Sequence, residues 1–234
     1  MKKRILIKIS GGCLQSSDQK ELFDPKKLEN LCQQIKIIAQ NYTVGIVVGG
    51  GNLWRGKNNY LNQLNDQTSH YVGMLATIMN ALVLHDFLKA INVRAKVYSA
   101  IDVAKITEPF NFLHIENDLV SDQVLIFAAG TGMPYVSTDT CSAVRAIEMQ
   151  AEYILMGKDN VAGVYNHDPK KDPNAIFYHQ LSYDKIINDK LAVMDLTAVS
   201  LCKENKIKIL VFNQSEKDAF IRALENKITL TTIS

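Results

Sequence analysis

Arginine is scarce in this sequence: Arg4, Arg55, Arg94, Arg145 and Arg222 stand against 21 lysines. Beside many Asn and Ile, that skew reads as AT-rich coding, and it singles out each arginine retained, because its planar fork grips phosphate as lysine cannot. Cysteine is sparse as well. Cys13, Cys32, Cys141 and Cys202 are far apart, with no CxxC or Cys/His ligand spacing, which excludes a disulfide scaffold and predicts reduced, cytoplasmic thiols. None of the five histidines (His70, His85, His114, His167, His179) lies at ligand spacing to another, so no metal site is expected. Long apolar runs are missing: residues 124–129 are typical of the longest, against the roughly 18–20 needed to span a bilayer. Residues 5–9, interrupted by Lys8, are too short for a signal core. A net charge of +2 without a basic tail excludes wholesale nucleic-acid binding. The phosphate loop GxxxxGK[ST], the dinucleotide fingerprint GxGxxG and the zinc motif HExxH are all absent. Phosphates, if handled, are handled without that machinery.

What is present is ordinary globular composition, 47% hydrophobic and 21% charged over 234 residues, enough for a sizeable core without staples. No repeat, linker or charge block marks a boundary, and one domain over residues 1–234 is expected. Short β-rich runs at 4–9, 44–48, 94–99, 123–128, 153–156, 163–165, 208–212 and 229–233 alternate with helical stretches. Asp24-Pro25 opens a helix with Leu28, Leu31, Ile35 and Ile38 at helical spacing. A long helix is predicted over about 69–91, and others near Thr138-Asp139 and Asp195-Leu196. This alternation predicts an α/β fold: an αβα sandwich around a mostly parallel central sheet. Ligands in such folds sit at the carboxyl ends of strands, and three of those ends are marked by glycine.

The first is Lys8-Ile9-Ser10-Gly11-Gly12, where a lysine inside an apolar strand is costly to bury unless an anion meets it. An edge-strand lysine before a turn is the plain alternative. The second is Gly49-Gly50-Gly51-Asn52-Leu53-Trp54-Arg55-Gly56. Three glycines suggest close backbone approach to a ligand, and Arg55 offers a bidentate grip on an anion; the alternative is a flexible turn. The third is Gly130-Thr131-Gly132-Met133-Pro134-Tyr135-Val136-Ser137-Thr138-Asp139, with hydroxyls and amides to outline a polar substrate and a carboxylate for a metal or cation. Thr138 or Asp139 as a simple helix cap is the alternative. A fourth stretch, Asp159 to Pro173, is a polar loop suited to wall a nucleotide, although such loops are more often solvated surface.

In this order, Lys8-Ile-Ser-Gly, Gly49-Gly-Gly-Asn-Leu-Trp-Arg-Gly, Gly73-Met-Leu-Ala-Thr-Ile-Met-Asn, Ala129-Gly-Thr-Gly-Met-Pro-Tyr-Val-Ser-Thr-Asp and Val193-Met-Asp-Leu resemble bacterial UMP kinases of the amino-acid kinase superfamily. The resemblance implies a cytoplasmic, homohexameric enzyme of pyrimidine synthesis that binds ATP and UMP side by side, with Mg²⁺ carried by ATP. It implies Lys8 and Asp139 as catalytic residues. Lys8, Ile9, Ser10, Gly11, Gly51, Arg55, Asp159, Tyr165 and Asp168 would bind ATP. Gly50, Thr131, Gly132, Met133, Pro134, Tyr135, Val136, Ser137 and Thr138 would bind UMP, and Asp195 matches a family acid near the phosphates. His70 stands where the family usually has an aspartate contacting the ribose, Asp159 where Asn or Thr is common, and Ala162 where an Asp is typical. The positions through which some members respond to GTP read His85, Lys89, Lys96 and Gln123. Other small kinases of the superfamily, acting on carbamate, an acylated amino acid or an isoprenoid phosphate, remain alternatives, as does a non-catalytic binding protein on this fold.

Overall fold

The computed structural model describes residues 2–55, 63–169 and 171–234; Gly56 and Lys170, which belong to two of the motifs above, lie outside the described residues. Strand β1 (Lys3–Ile9) turns Ile5, Ile7 and Ile9 to one face and Leu6 and Lys8 to the other, as a two-residue period requires. After a short 3₁₀ turn (Gly11–Leu14), helix α1 (Pro25–Asn41) starts at its predicted signal. The Asp24 carboxylate accepts the amides of Lys26 and Lys27 at 2.9 and 3.2 Å, with proline in the first helical position. Strand β2 (Tyr42–Val48) and the 25-residue helix α2 (Asp66–Ala90) follow. Helix α2 begins three residues earlier than expected because Asn65 caps it, accepting the Thr68 amide at 3.2 Å.

Next come β3 (Ala95–Ser99), β4 (Glu108–Pro109), α3 (Phe112–Val120), β5 (Val124–Ala128), α4 (Thr138–Glu148) and β6 (Tyr153–Lys158). The remainder is β7 (Val164–Tyr165), β8 (Phe177–Tyr178), β9 (Gln180–Leu181), α5 (Tyr183–Asn188), α6 (Leu196–Glu204), β10 (Lys208–Asn213), α7 (Ala219–Leu224) and β11 (Leu230–Ile233). Nine of these strands form one sheet in the order β4-β3-β5-β2-β1-β6-β10-β11-β9, while β7 and β8 pair separately. Among the described residues every pairing in the large sheet is parallel except β10 with β11. Sequence periodicity missed α3, α5 and α7 and the two-residue strands β4, β8 and β9, since elements that short complete too few periods to register.

Two cores flank the sheet. One packs α1, α2 and α7 on Ile5, Ile7, Val44, Ile46, Ile126 and Phe212. The other packs α3, α4, α5 and α6 on Leu6, Val47, Phe127, Ile154 and Val211. Burial on both faces accounts for the unbroken apolar runs in the inner strands. Helix α2 is long and apolar enough to cross a membrane by length and composition alone, yet it lays Met74, Ile78, Ala81, Leu84 and Leu88 into the first core. The glycine-marked strands β5, β2 and β1 are neighbours and run the same way. Their three loops therefore gather at one edge of the sheet.

Because Asp24 satisfies two amides at the start of α1, Asp24→Ala should lower stability by about 1 kcal/mol, read as a shift in the urea midpoint with an unchanged slope.

Candidate active site

Lys8 lies near the carboxyl end of the central strand, on the face covered by α4. Its ammonium meets the Asp139 carboxylate at 3.1 Å, with side chains 12% and 21% exposed. The pairing settles which residue caps α4. Ser137 does, its hydroxyl accepting the amides of Asp139 and Thr140 at 3.1 and 3.0 Å, so neither Thr138 nor Asp139 is spent on capping. A second cation stands close by and went unnoticed in the sequence: Lys158, the last residue of β6, donates to the Val193 carbonyl at 2.7 Å. Its pKa falls below the ordinary lysine value, chiefly because burial disfavours the ammonium and next because Lys8 repels it, while Asp139 and Asp159 pull the other way. The only hint available beforehand was its place, one polar residue ending an apolar strand.

Ser10 and Asp159 stand within 3.3 Å of each other, and the Gln214 amide donates to both, at 3.2 and 2.7 Å. Gln214, beyond β10, was another residue without a sequence signal. Gly11 is required by contact: a Cβ there would fall 2.5 Å from the Gly51 nitrogen. The first two glycine loops touch at that point, and Arg55 Nε donates to the Gly51 carbonyl at 2.7 Å. Asn80 of α2 holds the second loop from beneath, its amide donating to the Gly49 carbonyl and to Asn52, each at 2.7 Å. Ile9 sends its side chain into the core and its carbonyl to the Gly49 amide at 2.9 Å, so it shapes the loop and offers a ligand no side chain.

Two cavities open along this edge. One, of about 730 Å³, is bounded by Gly50, Gly51, Gly73, Thr77 and His70 on one side and by Gly130, Val136, Ser137 and Thr138 on the other. The other, of about 620 Å³, lies between Lys158, Asp159, Tyr165, Asp168 and Val193. A more polar hollow of about 660 Å³ reaches from Gly12, Arg55, Asp159 and Gln214 toward Lys26 and Lys217. Met133 and Tyr135 are 65% and 71% exposed and, with Thr131, Gly132 and Pro134, are not part of the first cavity's lining; the Tyr135 ring meets the His70 ring edge-on at 4.6 Å across its mouth.

Asp195 joins two helix starts. It caps α6 by accepting the Ala198 amide at 3.0 Å, receives the Thr140 hydroxyl at 2.7 Å, and receives the Ser137 hydroxyl through its other oxygen. Burial raises its pKa, but the hydrogen bonds from Ser137, Ala198, Thr140 and Thr197 together outweigh burial and hold it below the ordinary aspartate value.

Among the described residues no group of three His, Cys, Asp or Glu side chains is disposed to hold a metal ion. Two cations, clustered main-chain amides and one acid between two nucleotide-sized cavities are the equipment of phosphoryl transfer.

Residues 3–213 match the family model described as the amino acid kinase family. The chain is 43% identical over its full length to the uridylate kinase of Ureaplasma parvum serovar 3, covering 99% of that protein, and 43% identical to that of Malacoplasma penetrans, covering 73% of it. Its structure superposes on a crystal structure of UMP kinase from Ureaplasma parvum with a TM-score of 0.97, at 43% identity and covering 100% and 99% of the two chains. On UMP kinase from Bacillus anthracis the TM-score is 0.93, at 33% identity and covering 99% and 96%.

With its folded-state pKa depressed, Asp195 contributes stability that is complete above the unfolded value of about 3.9 and is lost as pH falls through the lower folded value. Wild type should therefore exceed Asp195→Asn by about 1–2 kcal/mol at pH 7, with the gap narrowing toward pH 3. Paired urea midpoints at pH 7, 5 and 3 measure it, and a gap that widens in acid would contradict the assignment.

Proposed function

The chain belongs to the amino acid kinase family, and from that premise we propose that it transfers the γ-phosphoryl group of ATP to UMP, giving ADP and UDP, within one domain over residues 1–234. The observation that carries the reading is the Lys8–Asp139 pair with Lys158 beside it, flanked by the two cavities.

UMP occupies the cavity of Gly50, Gly51 and Val136 to Thr138, where the glycine amides and the start of α4 favour its phosphate. Residues Thr131 to Tyr135 close over it from the same loop. ATP lies against Tyr165, Asp168 and Asp159 with its phosphates toward Lys8, Ser10, Gly11, Gly51 and Arg55. The attacking group is already an anion, so no general base is needed. Lys8 and Lys158 stabilise the charge that spreads over the moving oxygens, and Asp139 holds the Lys8 ammonium in one position. Mg²⁺ carried in with ATP would supply further neutralisation of the charge that develops on transfer, and Asp139 is the carboxylate that would help to hold it.

The enzyme works as a homohexamer in the cytoplasm. Four free thiols, three of them buried, suit a reducing compartment. Self-association is supported by an apolar stripe at four-residue spacing on the outer face of α2, where Tyr71, Leu75 and Met79 are 39%, 48% and 52% exposed. Leu113 and Val120 of α3 are exposed as well.

Lys8→Ala should reduce kcat at least about a hundredfold, about 3 kcal/mol of lost charge stabilisation, with the fold retained. ADP release with UMP, CMP, dUMP and carbamate as acceptors reads both the loss and the specificity; near-normal turnover by the variant would remove Lys8 from catalysis. Light scattering should give wild type a mass near six chains of 26.2 kDa, and Leu75→Glu with Met79→Glu a smaller one.

A further inference from the structure

Arg145 is the one buried arginine, 4% exposed on the inner side of α4. Its guanidinium carbon lies 3.6 Å from the centre of the Phe110 ring. One terminal nitrogen donates to Glu148 at 2.6 Å and the other to the Gly130 carbonyl at 3.2 Å; the Cys141 thiol also lies within reach of the guanidinium, and Nε has no well-formed hydrogen bond among the described residues. A buried cation with one unsatisfied N–H is a costly way to fill a core, and a methionine of similar length would fill it without that cost. In a chain that uses lysine four times as often as arginine, its presence calls for a role that only the planar fork performs.

The Gly130 carbonyl identifies that role. It belongs to a loop with left-handed backbone at Ala129 (φ 59°), Gly130 (58°), Gly132 (77°) and Tyr135 (67°). Ala and Tyr adopt this region only against a steric penalty, so the conformation persists where surrounding groups hold it. Three groups do. Thr77 receives the Ala129 amide at 2.8 Å, the Ala100 carbonyl packs so close to Gly132 that a Cβ would fall 2.6 Å away, and Arg145 grips the carbonyl between them. A lysine ammonium could not stack on Phe110 and at the same time reach Glu148 and Gly130.

We infer that Arg145 is a positioning residue for the acceptor nucleotide: by fixing the Gly130 carbonyl it fixes the direction in which residues 131–138 leave the sheet. The inference rests on the reading of that segment as the UMP side of the site. Methionine at 145 keeps the packing on Phe110 and loses the grip, lysine restores one donor, and Glu148→Gln removes the ion pair while leaving the guanidinium on Gly130.

The test is KM for UMP, KM for ATP and kcat in Arg145→Met, Arg145→Lys and Glu148→Gln, with melting temperatures alongside. Arg145→Met should raise KM for UMP about tenfold, as loss of one charge-assisted hydrogen bond implies, with KM for ATP and kcat within about twofold. Arg145→Lys should fall between it and wild type, and carries the comparison if the methionine variant does not fold. Glu148→Gln should melt lower with KM for UMP unchanged. An unchanged KM for UMP in the arginine variants, an equal rise for ATP, or an equal rise in Glu148→Gln would reduce Arg145 to a core residue. A wild type that turns over no UMP overturns the functional reading and this inference with it; a wild type that does, beside variants with normal KM, overturns this inference alone.

Discussion

A lysine on the inner face of a central, doubly covered strand is tolerable only if a counter-charge is supplied at short range, and that requirement organises this molecule. The Lys8 ammonium is 12% exposed and meets Asp139 at 3.1 Å. Asp139 can answer it only because α4 starts where it does, and α4 starts there because Ser137 takes the first amides. Ser137 is in turn fixed by Asp195, which caps α6 with the same carboxylate. One buried charge thus ties the central strand to two helix starts, and the ligand edge of the sheet is built from those starts.

The other constraint is the crowding of like charge. The pKa of Lys158 is pushed down chiefly by burial and next by the charge on Lys8, although two acids lie near. Two cations held near each other repel, and an anion arriving beside them would relieve that repulsion. The glycine loops approach so closely where Gly11 meets the Gly51 nitrogen that a side chain at Gly11 is excluded.

The two halves of the site differ in how they are held. The side of Lys158 and Asp159 rests on polar contacts among Ser10, Asp159 and Gln214. The side of Gly130 to Thr138 rests on a backbone of left-handed residues gripped by Thr77, Ala100 and Arg145. His70 lines the cavity on that second side and packs against Tyr135, so it faces the cavity and the loop tip together. Lys96 and Gln123, which the family pattern connects with regulation in some members, both bind Asp118, as does Tyr98.

The linear chain determined the αβα layering, the parallel sheet, the Asp24 cap, the glycine-marked strand ends and the lysine set inside an apolar strand. Each of these is written in period, in turn chemistry or in a charge placed where burial is costly, whereas the partner of that lysine, Asp139, came from the fold. The short helices and two-residue strands were illegible because each completes only one or two periods of its pattern. The sequence offered Thr138 or Asp139 as the cap of α4; the structure gives that role to Ser137, whose hydroxyl also donates to Asp195, 58 residues away. Lys158 and Gln214 were legible only in three dimensions, and so were the contacts of Asn80 and Arg145, which a family motif and the scarcity of arginine had already marked. Each is an ordinary polar residue in its own segment, and its role comes from a partner that only the strand order β5-β2-β1-β6-β10 and the helices packed on it bring near. Strand order in a parallel sheet is decided by crossovers and two-sided burial, and no local stretch of sequence contains it.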